Sequence, residues 1–151
     1  MEKPDMNTKN TAINLEDSKV NVKIRLALLW AALMFFYFYN DIFSLWQPGH
    51  LAQLLEGHLE GVEMTQTILF AGAILMCIPS LMVLLSVTLK ARANRLVNII
   101  MGFLQMLILL ATQFVGGGET WFYWRFFELM EAVFLGLIIW SAWKWPVAEP
   151  R

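Results

Sequence analysis

The sequence holds one cysteine, two histidines and few charges, and each scarcity removes a class of protein. Cys77, being alone, forbids an intramolecular disulfide, so neither a disulfide scaffold nor a membrane relay of paired cysteines fits. It falls in mid-span and reads as a small buried hydrophobe. His50 and His58 both lie outside the long apolar runs, which removes a haem held between intramembrane histidines. On a helix their spacing would set them about 80° apart, too loose for a shared metal, so no metal site is expected. Charged residues make up 15% of the chain, against about 25% in an ordinary soluble domain. With 11 basic and 12 acidic residues the net charge is −1, which gives no basic face for nucleic acid. There is no phosphate loop, zinc-protease motif or nucleophile elbow, and no cofactor is expected. No internal repeat supports an inverted-repeat transporter.

What the sequence does hold is apolar residues, 58% of the total, gathered in long runs. A bilayer-spanning helix needs about 20 of them in succession. Four stretches qualify, at about residues 24–46, 64–89, 96–115 and 121–145. The expectation is an all-α fold, an integral membrane four-helix bundle, with residues 19–151 as the membrane domain and residues 1–18 as a flexible tail. Lys90-Ala91-Arg92-Ala93-Asn94-Arg95 separates the second span from the third, and Gly116-Gly117-Gly118 separates the third from the fourth. The first span is too long to be a cleaved signal, and no small-residue cleavage site follows it.

The basic residues give an orientation. Lys3, Lys9, Lys19, Lys23 and Arg25 precede or open the first span, Lys90, Arg92 and Arg95 join the second to the third, and Lys144 and Arg151 end the fourth. The two other loops carry only Glu56, Glu60, Glu63 and Glu119. By the positive-inside rule both termini are expected in the cytoplasm, in a bacterial inner membrane. Trp46, Trp121, Trp124, Trp143 and Trp145 sit where interfacial rings belong. After the turn Gln47-Pro48-Gly49, helical spacing of leucines predicts an amphipathic helix on the outer surface over about residues 50–63.

Polar residues inside the spans form stripes. Asn98, Gly102, Gln105, Leu109 and Thr112 recur by threes and fours along the third span, and Gln66, Ala73, Cys77 and Ser80 along the second. Arg125, Glu128, Ala132 and Gly136 share a face of the fourth, with Glu131 at its edge. Trp30, Met34, Tyr37 and Asp41 share a face of the first. The stripes are expected to converge on one polar interior, richest toward the outside, with Asp41, Arg125, Glu128, Glu131, Tyr37 and Gln105 as its candidate ligand- or ion-binding residues. Arg125 can pair with Glu128 or with Asp41, which leaves at least one carboxylate without a fixed cation. Such a group takes up a proton or binds a cation, and Glu131 is the deepest.

Several motifs, in order, carry a resemblance. They are Tyr37-Phe38-Tyr39-Asn40-Asp41-Ile42-Phe43 with Pro48-Gly49, then Ile78-Pro79-Ser80-Leu81-Met82, then Asn94-Arg95 with Asn98-Ile99. Last come Glu131, nine residues before Trp140, and Ala142-Trp143-Lys144-Trp145. With these the chain resembles a bacterial family of small four-helix membrane proteins grouped as a domain of unknown function. The resemblance implies a bacterial cytoplasmic membrane and four spans, implies no activity, and points to Asp41 and Glu131.

Two readings of function follow. In one, the intramembrane carboxylates and Arg125 form an outward-facing site for a proton, a cation or a small polar ligand. In the other, the chain is a structural or accessory subunit whose polar stripes only lock helices together. An enzyme stands behind both, since no nucleophile–base pair appears. The lipid bilayer is the expected partner, and a homo-oligomer or membrane partner is compatible with helices that enclose so little volume.

Overall fold

A computed structural model describes residues 19–59, 61–114 and 121–146. Four long helices dominate it: α1 (Val22–Leu45), α3 (Gln66–Thr88), α4 (Ala91–Thr112) and α5 (Phe122–Trp143). Between α1 and α3 lie a short helix, α2 (His50–Leu55), and two antiparallel strands, β1 (His58–Leu59) and β2 (Val62–Glu63). All four long helices are long and apolar enough to cross a membrane.

Local chemistry sets the helix ends. Asn21 caps α1 by accepting from the Lys23 amide, and Thr65 caps α3 by accepting from the Ile68 amide. The third span begins earlier than the charges imply. Only Leu89 and Lys90 break the chain, and α4 starts at Ala91 with Arg92 and Arg95 on its first turns. Ala91 and Ala93 are strong helix formers, so these charges ride on the helix instead of forming a loop. The helix expected over residues 50–63 is cut short at Leu55. Gly57 takes a φ of 80° and ends it in the left-handed conformation that glycine accepts readily. A two-stranded ribbon follows, pairing His58 with Glu63 and Leu59 with Val62.

The helices run antiparallel in succession. We call the end holding the start of α1 and the α3–α4 turn the basic end, and the opposite end the acidic end. α1 packs against α3 and α5, and α4 packs against α5, whereas α3 and α4 touch little. The buried core lies toward the basic end: Val22, Leu26, Trp30 and Leu33 of α1, Met82 of α3, and Leu135, Ile138 and Ala142 of α5. Elsewhere large apolar side chains, such as Phe35, Phe70, Leu107 and Leu129, face outward. An apolar exterior this extensive suits lipid rather than water.

Two stripes differ from expectation. The buried residues of α3 are Pro79, Met82 and Ser86, while Gln66, Ala73, Cys77 and Ser80 are exposed. Cys77 is therefore an outward-facing residue, not a buried one. The Ser80 hydroxyl satisfies itself by donating to the Met76 carbonyl at 2.9 Å, as Thr88 does to the Leu84 carbonyl at 3.0 Å. A hydroxyl bonded to its own helix needs no protein neighbour. On α5 the buried face runs through Phe127, Glu131, Leu135, Ile138 and Ala142, so Glu131 lies at its centre and Gly136 is exposed.

Candidate functional site

The polar interior divides into two regions of opposite character. The first, toward the basic end, is closed and paired. Asn98 on α4 accepts on its Oδ1 from the Trp30 indole Nε1 at 2.7 Å and from the Ser86 hydroxyl at 3.2 Å. Its Nδ2 donates to the Asn94 carbonyl at 2.9 Å and to Asn94 Oδ1 at 2.6 Å. Asn94 Nδ2 in turn donates to the Ser86 carbonyl at 2.5 Å. Ser86, Asn94 and Asn98 are fully buried, as is Trp30. The network joins α1, α3 and α4 where apolar contact between the last two is sparse. Its polar groups are paired with one another across the three helices.

The second region, toward the acidic end, is an open cleft of about 220 Å³ reached by side chains of all four long helices. Tyr37, Asn40 and Asp41 of α1, Gln105 of α4, and Glu128 and Glu131 of α5 supply its polar lining. Leu75 and Met76 of α3, Ile108 and Leu109 of α4, and Trp124 of α5 supply apolar wall. Of the side chains expected at a site, Tyr37, Asp41, Gln105, Glu128 and Glu131 meet here. Arg125 does not line the cleft. Its side chain is 55% exposed, and it pairs with Glu128 at 2.9 Å, a cross-turn ion pair rather than a link to Asp41. Thr112 also reaches the cleft, though its hydroxyl is committed to the Leu109 carbonyl at 2.7 Å.

Glu128 is fully engaged. Besides Arg125, its carboxylate accepts from Gln113 Nε2 at 2.5 Å and from Trp124 Nε1 at 3.1 Å. Arg125 also donates to Gln113 Oε1. The others differ. Glu131 is 5% exposed and Gln105 4%, yet neither side chain has a hydrogen-bond partner among the described residues. Asn40 Oδ1 is buried and unpaired as well. Glu131 lies within electrostatic reach of Tyr37, Asp41 and Glu128. Of these groups only Asn40 Oδ1 is fully enclosed, whereas the polar atoms of Glu131 and Gln105 open onto the cleft.

Asn40, Gln113 and Trp124 join the site without having been expected there. Asn40 stands beside Asp41, and Gln113 lies four residues beyond Leu109 on the α4 stripe, so both carried a readable signal. Trp124 reads from sequence as an interfacial ring, and its bond to Glu128 depends on the fold. His50 is buried at the start of α2 and His58 is exposed. Among the described residues no three of His, Cys, Asp and Glu are placed to hold a metal ion.

Comparison with curated proteins and with solved structures returned no match. A family model does match, over residues 14–149. That span takes in every described element, both polar regions and the motifs on which the resemblance rests, and the chain accordingly belongs to the family of unknown function DUF6326.

Proposed function

We propose that the protein is a four-helix bundle of the bacterial inner membrane, with both termini in the cytoplasm, and that its cleft is an outward-facing site that binds or moves a cation, a proton or a small polar ligand. Its apolar exterior and the placement of its basic residues support the membrane setting. One observation carries the site: Glu131 and Gln105, both at least nine-tenths buried, line a cavity and bond to nothing in the described chain. A pure helix lock pairs its polar groups with one another, whereas the polar atoms of Glu131 and Gln105 open onto the cleft. The paired network around Asn98 already provides a lock at the other end.

The charge of the cleft gives a direct test. After Arg125 and Glu128 neutralise each other, Asp41 and Glu131 remain without an ion-pair partner among the described residues. In a Cys77→Ser background, Leu109→Cys places a thiol on the cleft wall. A membrane-impermeant trimethylammonium thiosulfonate should modify it from the outside. Beyond the intrinsic difference between the reagents, modification should be about tenfold faster than by the sulfonate analogue, because an acidic cleft concentrates cations. Labelling from the cytoplasmic side only, or no preference for the cationic reagent, contradicts the reading. A companion variant, Glu56→Cys in the same background, should label from outside in intact cells.

A further inference from the structure

We propose that the occupant of the cleft is a small organic ammonium ion, a protonated primary amine with a short alkyl group, its charged end between Asp41 and Glu131 and its alkyl end against α3 and α4. This rests on the cleft being a ligand site and names the chemistry it takes.

The unpaired groups are the first argument. Asp41 and Glu131 as carboxylates only accept, and the unpaired Asn40 atom is a carbonyl oxygen. Gln105 offers a further carbonyl oxygen. The amide hydrogens of Gln105 and Asn40 and the Tyr37 hydroxyl can donate as well, so it is the negative charge of Asp41 and Glu131 that sets the preference. An ammonium group is its complement, with three donors, no acceptor and one positive charge. An anion would meet two carboxylates, and a neutral alcohol would leave their charge unmatched.

The walls argue for an organic cation. The carboxylates are not grouped to hold a metal ion, as no three potential ligands converge among the described residues. Leu75, Ile108 and Leu109 line the same cleft with apolar surface. A hydrated inorganic ion would keep that surface wet, whereas an alkyl chain covers it. The rings of Tyr37 and Trp124 also line the space and favour a cation over their faces. At about 220 Å³ the cavity falls below the roughly 300–1,000 Å³ of sites for drug-sized ligands. It suits a molecule of a few heavy atoms.

The test is calorimetric titration of the full chain in phosphatidylcholine nanodiscs with methyl-, propyl- and hexylammonium chloride. Sodium chloride, potassium chloride, sodium propionate and 1-propanol serve as controls at matched ionic strength. The expected result is saturable one-site binding of the ammonium ions, strongest for propylammonium, with none for propionate or propanol. Glu131→Gln should weaken it by about 30-fold or more, the usual effect of removing one partner of a desolvated charge pair, and Asp41→Asn, at an exposed position, by about threefold or more. Glu131→Asp, which keeps the charge, should retain binding within about tenfold. Melting temperatures measured in the same discs establish that each variant is folded. If sodium or potassium binds instead and Glu131→Gln abolishes that binding, the amine assignment is overturned while the cleft remains a cation site. Equal affinity of propylammonium for wild type and Glu131→Gln overturns the assignment too. If no probe binds, the assignment falls, and loss of charge preference at Leu109→Cys would take the ligand site with it.

Discussion

Asn98→Leu is expected to lower the free energy of unfolding by about 2–4 kcal/mol, which in a chain of this length lowers the melting temperature by roughly 4–16 °C. One side chain holds three helices here. Its carbonyl accepts from Trp30 on α1 and Ser86 on α3, and its amide donates twice to Asn94 on its own helix. Leucine keeps the bulk and removes every one of these bonds. The indole N–H, the Ser86 hydroxyl and the Asn94 side chain then lose partners at fully buried positions. Interhelical hydrogen bonds in membranes average well under 1 kcal/mol each, so the effect depends on several being lost together in a water-free place. A double variant, Asn98→Leu with Trp30→Phe, removes donor and acceptor together. It should recover part of the loss, because an absent group carries no desolvation penalty. Equilibrium unfolding of the three variants in detergent or bicelles measures both effects. Simple additivity would indicate that the bond does not couple the helices.

Gly102→Leu is expected to cost about 1–3 kcal/mol by forcing α4 away from α5. Gly102 is buried on the stripe between Asn98 and Gln105. A Cβ added there would stand 2.7 Å from Ile139 Cγ1 and 3.7 Å from Ile138 Cγ2, so even alanine requires Ile139 to move. Ile139 is β-branched and has little rotamer freedom in a helix. Leucine cannot be fitted by rotating one neighbour, so the helices must separate. Small residues permit this kind of close approach between membrane helices. Gly136, though also within a helix, has open space around it, and Gly136→Leu should change stability by less than about 0.5 kcal/mol. The contrast between the two glycines, measured by the same unfolding assay, checks the packing of α4 on α5.

How far the sequence could be read depended on contrast. The α4 stripe was legible because Asn98, Gly102 and Gln105 are set among large apolar residues, and all three are buried. Arg125 with Glu128 was legible from a spacing of three, which brings side chains together on any helix. On α3 the same logic failed. Serine and threonine satisfy their hydroxyls on the preceding turn, so their positions do not reveal which face meets protein. Beyond Glu131 the rest of α5 carries no charge to mark a face, and the packing of Leu135 and Ile138 in the core decided that Glu131 lies at the centre of its buried face. The short helix α2 ended before Gly57 because that residue accepts a left-handed turn, a local effect that leucine spacing does not register. The separation of lock from cleft was not legible at all. It depends on which polar groups find partners across helices, and that is a property of the assembled fold.

The buried core follows the same division. The core gathers where Val22, Leu26, Trp30 and Leu33 meet Leu135, Ile138 and Ala142. The other half of the helices, beyond Tyr37 and Gln105, encloses the cleft. A protein stabilised at one end can leave the other less tightly packed, which is where ligand sites and moving elements tend to be found.

The most direct measurement is the unfolding free energy of Glu131→Gln against wild type under the conditions used for Asn98→Leu. Glutamine keeps the shape and removes the charge. If Glu131 belongs to a site and not to the lock, the variant should lie within about 0.5 kcal/mol of wild type or be slightly more stable, since a buried group without a partner stabilises nothing. A loss of about 2 kcal/mol or more, comparable to that of Asn98→Leu, would mean that the carboxylate holds the helices together, and would contradict the division of the interior into a lock and a binding cleft.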